Sequence, residues 1–258
     1  MFQQAYRISG ALLAIFLFVE TGSAQVAGGK FQKLFDLYVM GDYEKCGMKA
    51  EKMTEKDKYK RESEPYLYLS MSFLKIADDP ELNQLEVYDN ATKDAIKYGT
   101  KFVKKDLKRK DKDLDYLYDD NYQYVQELKQ VAIEEAKAEL AQNDYRKAVY
   151  YYKLALQLDE NDPAVRLMKG TADYLSKNRR EGSENVDMAL EQFRAIAKEG
   201  KYEPAEEIEL AFEDGFIYYA DYLVDNNQLA EAQEILELAR TLAPENKNFS
   251  RKLKQITG

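Results

Sequence analysis

Residues 216–244 read FIYYADYLVDNNQLAEAQEILELARTLAP. Two apolar-periodic stretches flank the polar turn Asn227-Gln228-Leu229. Before the turn stand Phe216, Tyr219, Ala220 and Leu223. After it stand Ala232, Leu236 and Ala239, followed by Pro244. The apolar spacing of three and four is that of one helix face, so this stretch predicts two helices joined by a tight turn. Small residues at Ala232 and Ala239 let the two helices approach closely. Leu236 between them fills the gap, and Pro244 ends the second helix.

The same turn occurs elsewhere. Gly41-Asp42-Tyr43-Glu44-Lys45-Cys46 and Asn143-Asp144-Tyr145-Arg146-Lys147-Ala148 each close one apolar-periodic stretch and open another. The second continues with Tyr152 and Ala155, giving the same small, large, small order. Glu160 stands where the proline would be.

This pattern resembles the tetratricopeptide repeat family, whose unit is a 34-residue helix-turn-helix. The resemblance implies an all-α, right-handed helical-repeat solenoid. About five antiparallel helix pairs fit residues 25–258: 31–40 with 44–56, 63–77 with 87–107, 115–142 with 145–158, 163–177 with 185–199, and 204–225 with 228–241. A capping helix over 245–256 follows Pro244. Asp162-Pro163 reads as a helix start. Residues 178–184 read as an inserted loop, and Asp78-Asp79-Pro80 as an insertion in the second pair. Units of this kind bury their faces only against neighbours, so they stack.

Residues 1–24 read as a signal peptide. Arg7 is followed by the apolar run GALLAIFLFV over residues 10–19, and Gly22-Ser23-Ala24 supplies small residues before Gln25. About 10 apolar residues are too few to cross a bilayer core of about 30 Å as a helix. The expectation is therefore an exported bacterial protein, periplasmic or secreted, with no transmembrane segment after cleavage. Gln25 stands where a lipoprotein would carry cysteine.

Composition excludes much chemistry. The 258 residues contain no His and one Cys, Cys46. His-dependent nucleophilic catalysis, His metal ligation and an intramolecular disulfide are ruled out. No cofactor or metal is expected, and the chain reads as a non-enzyme. Its net charge is −9, which lacks the basic footprint of a nucleic-acid binder. Cys46 reads as a buried small residue.

By the resemblance, the first helix of each pair lines a concave groove. That groove would present Ile133, Lys137 and Leu140, then Leu167, Thr171 and Tyr174, then Ile217, Asp221 and Asp225, to a protein or peptide partner. One version of the groove grips a C-terminal carboxylate through basic residues. Of the matching positions here only Lys137 is basic, so that clamp is not expected. Asp214, Asp221 and Asp225 favour a basic or neutral segment. The N-terminal end, with Phe31, Leu34, Phe35 and Tyr38, has no obvious polar cover and is a candidate contact for a partner or a second copy. The 21 tyrosines raise the alternative of a carbohydrate- or peptidoglycan-binding face. The run from Lys104 to Asp113 could touch an anionic surface, such as phospholipid head groups or an acidic partner, but reads better as a solvated helix end whose positive field is diluted by Asp106, Asp111 and Asp113.

Overall fold

The structure, a computed structural model, describes residues 29–200 and 206–258. The signal-peptide reading of residues 1–24 lies outside them. The described residues hold eleven α-helices and no strand. Five hairpins follow in chain order: α1 (Gln32–Val39) with α2 (Tyr43–Thr54), α3 (Glu64–Asp78) with α4 (Ala91–Lys110), α5 (Tyr122–Ala141) with α6 (Tyr145–Leu158), α7 (Pro163–Leu175) with α8 (Arg179–Glu199), and α9 (Glu206–Asp225) with α10 (Leu229–Leu242). Helix α11 (Lys247–Thr257) covers the last pair. The all-α repeat of paired helices is thus as expected.

Four of the five hairpin turns are built alike. Each first helix ends on a residue with positive φ: Gly41 at 77°, Asn143 at 62°, Lys177 at 69° and Asn227 at 61°. In each, the next residue's N–H reaches back to a carbonyl in the last helical turn: Asp42 to Leu37, Asp144 to Glu139, Asn178 to Asp173 and Gln228 to Leu223, at 2.8–2.9 Å. The left-handed residue itself donates to the carbonyl three positions back, at 2.9–3.0 Å. This is the Schellman closure, which satisfies carbonyls that a helix end otherwise leaves bare.

The turn at Lys177 corrects one reading. Residues 178–184 are not an inserted loop but the capping residue and first turns of α8. Lys177 lies 34 positions after Asn143, and Gly182 takes the place of Cys46, Ala148 and Ala232. From Gly182 the small, large, small order runs on as Val186 and Ala189, both buried. A lysine at the left-handed position, where glycine or asparagine is usual, hid the repeat.

The second pair departs as expected. Its helices are joined through two short 3₁₀ turns, Leu82–Gln84 and Glu86–Tyr88. The interval of three repeat lengths between Gly41 and Asn143 is therefore filled by a single hairpin with a long connection.

Small residues set how closely each pair packs. A Cβ on Gly170 of α7 would lie 2.8 Å from Val186 Cγ2 and 2.9 Å from the Val186 backbone nitrogen of α8. A Cβ on Gly182 would lie 2.8 Å from the Tyr174 ring. Large residues fill the spaces between: Tyr68, Tyr152, Phe193, Phe212 and Phe216 are all fully buried. Phe249 of α11 joins the last three, its ring 5.6 Å from Phe212 and 6.1 Å from Phe216. One buried phenylalanine of this kind stabilises the cap by about 2–3 kcal/mol.

Candidate functional site

The residues expected to line a groove separate into two groups. Ile133, Leu167 and Thr171 are buried, and Thr171 Oγ1 donates to the Leu167 carbonyl within α7. They are core residues and offer no surface to a partner. The small residues that bring the helices together also bring these side chains inside. Lys137, Leu140, Tyr174, Ile217 and Asp221 are partly exposed, and Asp225 is exposed.

Two of the three charges among them are matched within the chain. Lys137 of α5 pairs with Asp214 of α9, and Asp221 of α9 pairs with Lys252 of α11. Tyr174 stacks on Tyr222 at 4.8 Å and on Tyr219 at 6.3 Å, with interplanar angles of 12–13°. Burial raises the Tyr174 phenol above its ordinary range. This tyrosine stack ties α7 to α9. Other tyrosines are spent in packing: Tyr68 and Tyr152 are fully buried, and Tyr66 and Tyr151 nearly so.

The N-terminal end is also rearranged. Phe31 and Leu34 are buried, with the Phe31 ring 5.6 Å from that of Tyr59 in the 3₁₀ turn Asp57–Tyr59. They do not form an exposed end face, because the chain after α2 folds back over them. Phe35 and Tyr38 are only partly exposed. The apolar side chains that do face solvent on this hairpin are Val39 (66% exposed), Met40 (80%) and Met48 (53%). The insertion before α4 adds Leu85 and Val87. Tyr88 holds it against α2 by donating to Glu44 Oε1 at 2.8 Å. Glu44 and Met48 stand four apart on α2, hence on one helix face. Periodicity marked Phe31 and Leu34 correctly as apolar; nothing in their spacing told which side of α1 the fold-back would cover.

Cys46 is buried, and its thiol donates to the Leu34 carbonyl at 3.4 Å. Burial raises its pKa, which keeps the reactive thiolate scarce. Among the described residues no group of His, Cys, Asp and Glu is placed to hold a metal ion. No helix among them is long and apolar enough to cross a membrane.

Concavities among the described residues lie elsewhere, and two of them bear on function. One, of about 570 Å³, runs along α5 and is lined by Tyr122, Gln123, Gln126, Glu127, Gln130, Val131 and Glu134. The other, of about 760 Å³, lies along α4, and seven of its nine lining residues are Lys or Arg.

No family model matches this chain. No curated protein matches it either. Among solved structures the chain is similar to the TPR2AB domain of yeast Sti1 in its pHSP90 complex, at 18% sequence identity and a TM-score of 0.34. That similarity covers 87% of this chain and 81% of the other. At that TM-score the likeness carries no weight, and the helical-repeat fold rests on the hairpins and turns described above.

Proposed function

We propose that this chain is a non-catalytic scaffold of the bacterial envelope, exported by residues 1–24, that holds a protein or peptide partner. The observation that carries the reading is the apolar surface of the first hairpin. Val39, Met40 and Met48 face solvent on one helix pair, and the Tyr88 hydrogen bond keeps Leu85 and Val87 beside it. Helix α1 packs inward on α2 and α3. Contiguous exposed apolar groups mark interaction sites more often than isolated ones do. Export rests on the charged start, the apolar run and the small residues before Gln25.

The test is isolation of the full-length protein from its native envelope, after mild crosslinking, beside Met40→Glu/Met48→Glu. A discrete partner, or a second copy, should accompany the native chain and be lost from the variant. Equal recovery with both chains would count against docking at this end. Recovery of the protein from the cytoplasmic fraction would remove the envelope reading.

A further inference from the structure

Helix α4 carries lysines at 101, 105 and 108, and Lys112 follows in the turn two residues past its end. The three helical positions recur at four and three, so they form a single stripe, and Lys112 lines the same cleft. Arg61 closes the other side, and the Tyr66 ring lies at the floor. Of the three aspartates in this run, Asp106 is turned away from the stripe, while Asp111 and Asp113 stay exposed on either side of Lys112. Asp106 is fully buried: it accepts from Ser63 Oγ at 2.5 Å and from the backbone N–H groups of Leu117 and Tyr118 at 2.6 and 2.7 Å. Glu62 is engaged by Lys30 and Arg109. Among the described residues no carboxylate pairs with Arg61, Lys101, Lys105, Lys108 or Lys112. Lys101 and Lys105 instead lie 5.9 and 4.9 Å from the centre of the Tyr66 ring, and Lys105 Nζ also donates to the Lys60 carbonyl at 2.6 Å. A chain of net charge −9 has therefore concentrated, in one cleft of about 760 Å³, cations of which most have no carboxylate partner.

We propose that this cleft is a docking site for an acidic polypeptide segment, bound in extended form with carboxylates at alternate positions. Spacing supports it. Along the helix Lys101, Lys105 and Lys108 step by about 6.0 and 4.5 Å, from a rise of about 1.5 Å per residue. Alternate side chains of an extended segment step by about 6.6 Å. Residue type supports it too. Lysine heads are mobile point charges that follow a row of carboxylates, whereas phosphate recognition favours the rigid fork of arginine. Net charge decides between classes of partner. A bilayer or a nucleic acid would extend past the cleft and meet the acidic remainder of the surface. A segment with three or four carboxylates stays within about one Debye length, 8–10 Å, of the lysines. The site lies on the second helix of its pair, its lining includes no residue of the first hairpin, and it does not depend on docking there.

The probe is a fluorescent decapeptide with alternating Glu and Ala, acetylated and amidated so that it carries no free carboxyl terminus. Fluorescence anisotropy with the full chain at 50 mM salt should show saturable binding. Binding should weaken at least tenfold in Lys101→Glu/Lys108→Glu/Lys112→Glu and at 200 mM salt. A control, Lys153→Glu/Lys198→Glu/Lys247→Glu, alters net charge equally on exposed sites elsewhere and should bind within about threefold of the native chain. Absence of saturable binding overturns the proposal, as does equal loss in the control. Preferential sedimentation with phosphatidylglycerol vesicles through the same lysines, without peptide binding, would replace it with a bilayer contact. Circular dichroism confirms that both triple variants are folded.

Discussion

The Lys129 ammonium lies 3.1 Å from Asp162 Oδ2, and both side chains are almost fully buried. Asp159 completes the site at 2.9 Å from the same nitrogen. The other oxygen of Asp162 caps α7 by accepting from the N–H groups of Ala164 and Val165. One lysine of α5 thereby fixes the corner between α6 and α7. Burial acts against the Lys129 charge, yet Asp162 and Asp159 outweigh it and hold its pKa above the ordinary value. Lys129→Met strands a buried carboxylate and should cost about 3–5 kcal/mol. Lys129→Met/Asp162→Asn keeps a capping side chain without the stranded charge and should recover part of that loss. Urea unfolding of the two variants measures it; equal losses would mean that the lysine acts through packing alone.

The close approach of α7 and α8 gives a second prediction. Gly170→Ala forces its new methyl against the Val186 backbone and should cost about 1–3 kcal/mol. Gly47→Ala is the internal comparison, because its nearest neighbour would be Ser72 Cβ at 3.6 Å. That change should be neutral or add up to about 1 kcal/mol through helix propensity. Thermal melts that fail to separate the two variants would contradict the packing described for α7 and α8.

The left-handed lysine gives a third. Lys177→Gly relieves its backbone at φ 69° and should raise stability by about 0.5–1 kcal/mol, after the greater freedom of glycine in the unfolded chain is subtracted. Lys177→Val should lower it, since a branched side chain tolerates that region least. The opposite order would mean that residue 177 does not close the hairpin in the way Asn143 does.

Glu64 predicts a pH dependence. Its Oε1 is buried without a hydrogen-bond partner. Burial, then the neighbouring Glu62, raises its pKa from 4.5 to about 7, against the opposing pull of Arg109 and Lys30. The folded state therefore holds this proton more tightly than the unfolded chain does. The stabilisation is fully present below pH 4.5 and is lost as pH rises from there through about 7. After a discount for solvent screening of this partly exposed group, Glu64→Gln should thus exceed the native chain by about 2 kcal/mol at pH 8 and match it near pH 4. A difference that does not change with pH would remove this assignment.

Most of the fold is legible because hairpin turns leave short-range marks. Gly41, Asn143 and Asn227 are residues that tolerate positive φ, and each precedes a small residue by five positions. Lys177 obeys the same spacing with the wrong residue type, so the start of α8 was misplaced. Sites were less legible. Periodicity marks Ile133, Leu167 and Phe31 as apolar positions on a helix face, but not whether a neighbour covers that face. The charged run on α4 illustrates the same gap. Asp106 sits among lysines in sequence, yet Ser63 and the Leu117 and Tyr118 amides draw it inward, which removes its carboxylate from the lysine stripe.

Site-specific photocrosslinking in the native cell bears most directly on the scaffold reading. A photoreactive residue at Met40 or at Met48 should give one discrete adduct, while the same residue at Gln157, exposed on α6, should give none. Adducts absent from Met40 and Met48, or equally abundant from Gln157, would contradict docking through the first hairpin.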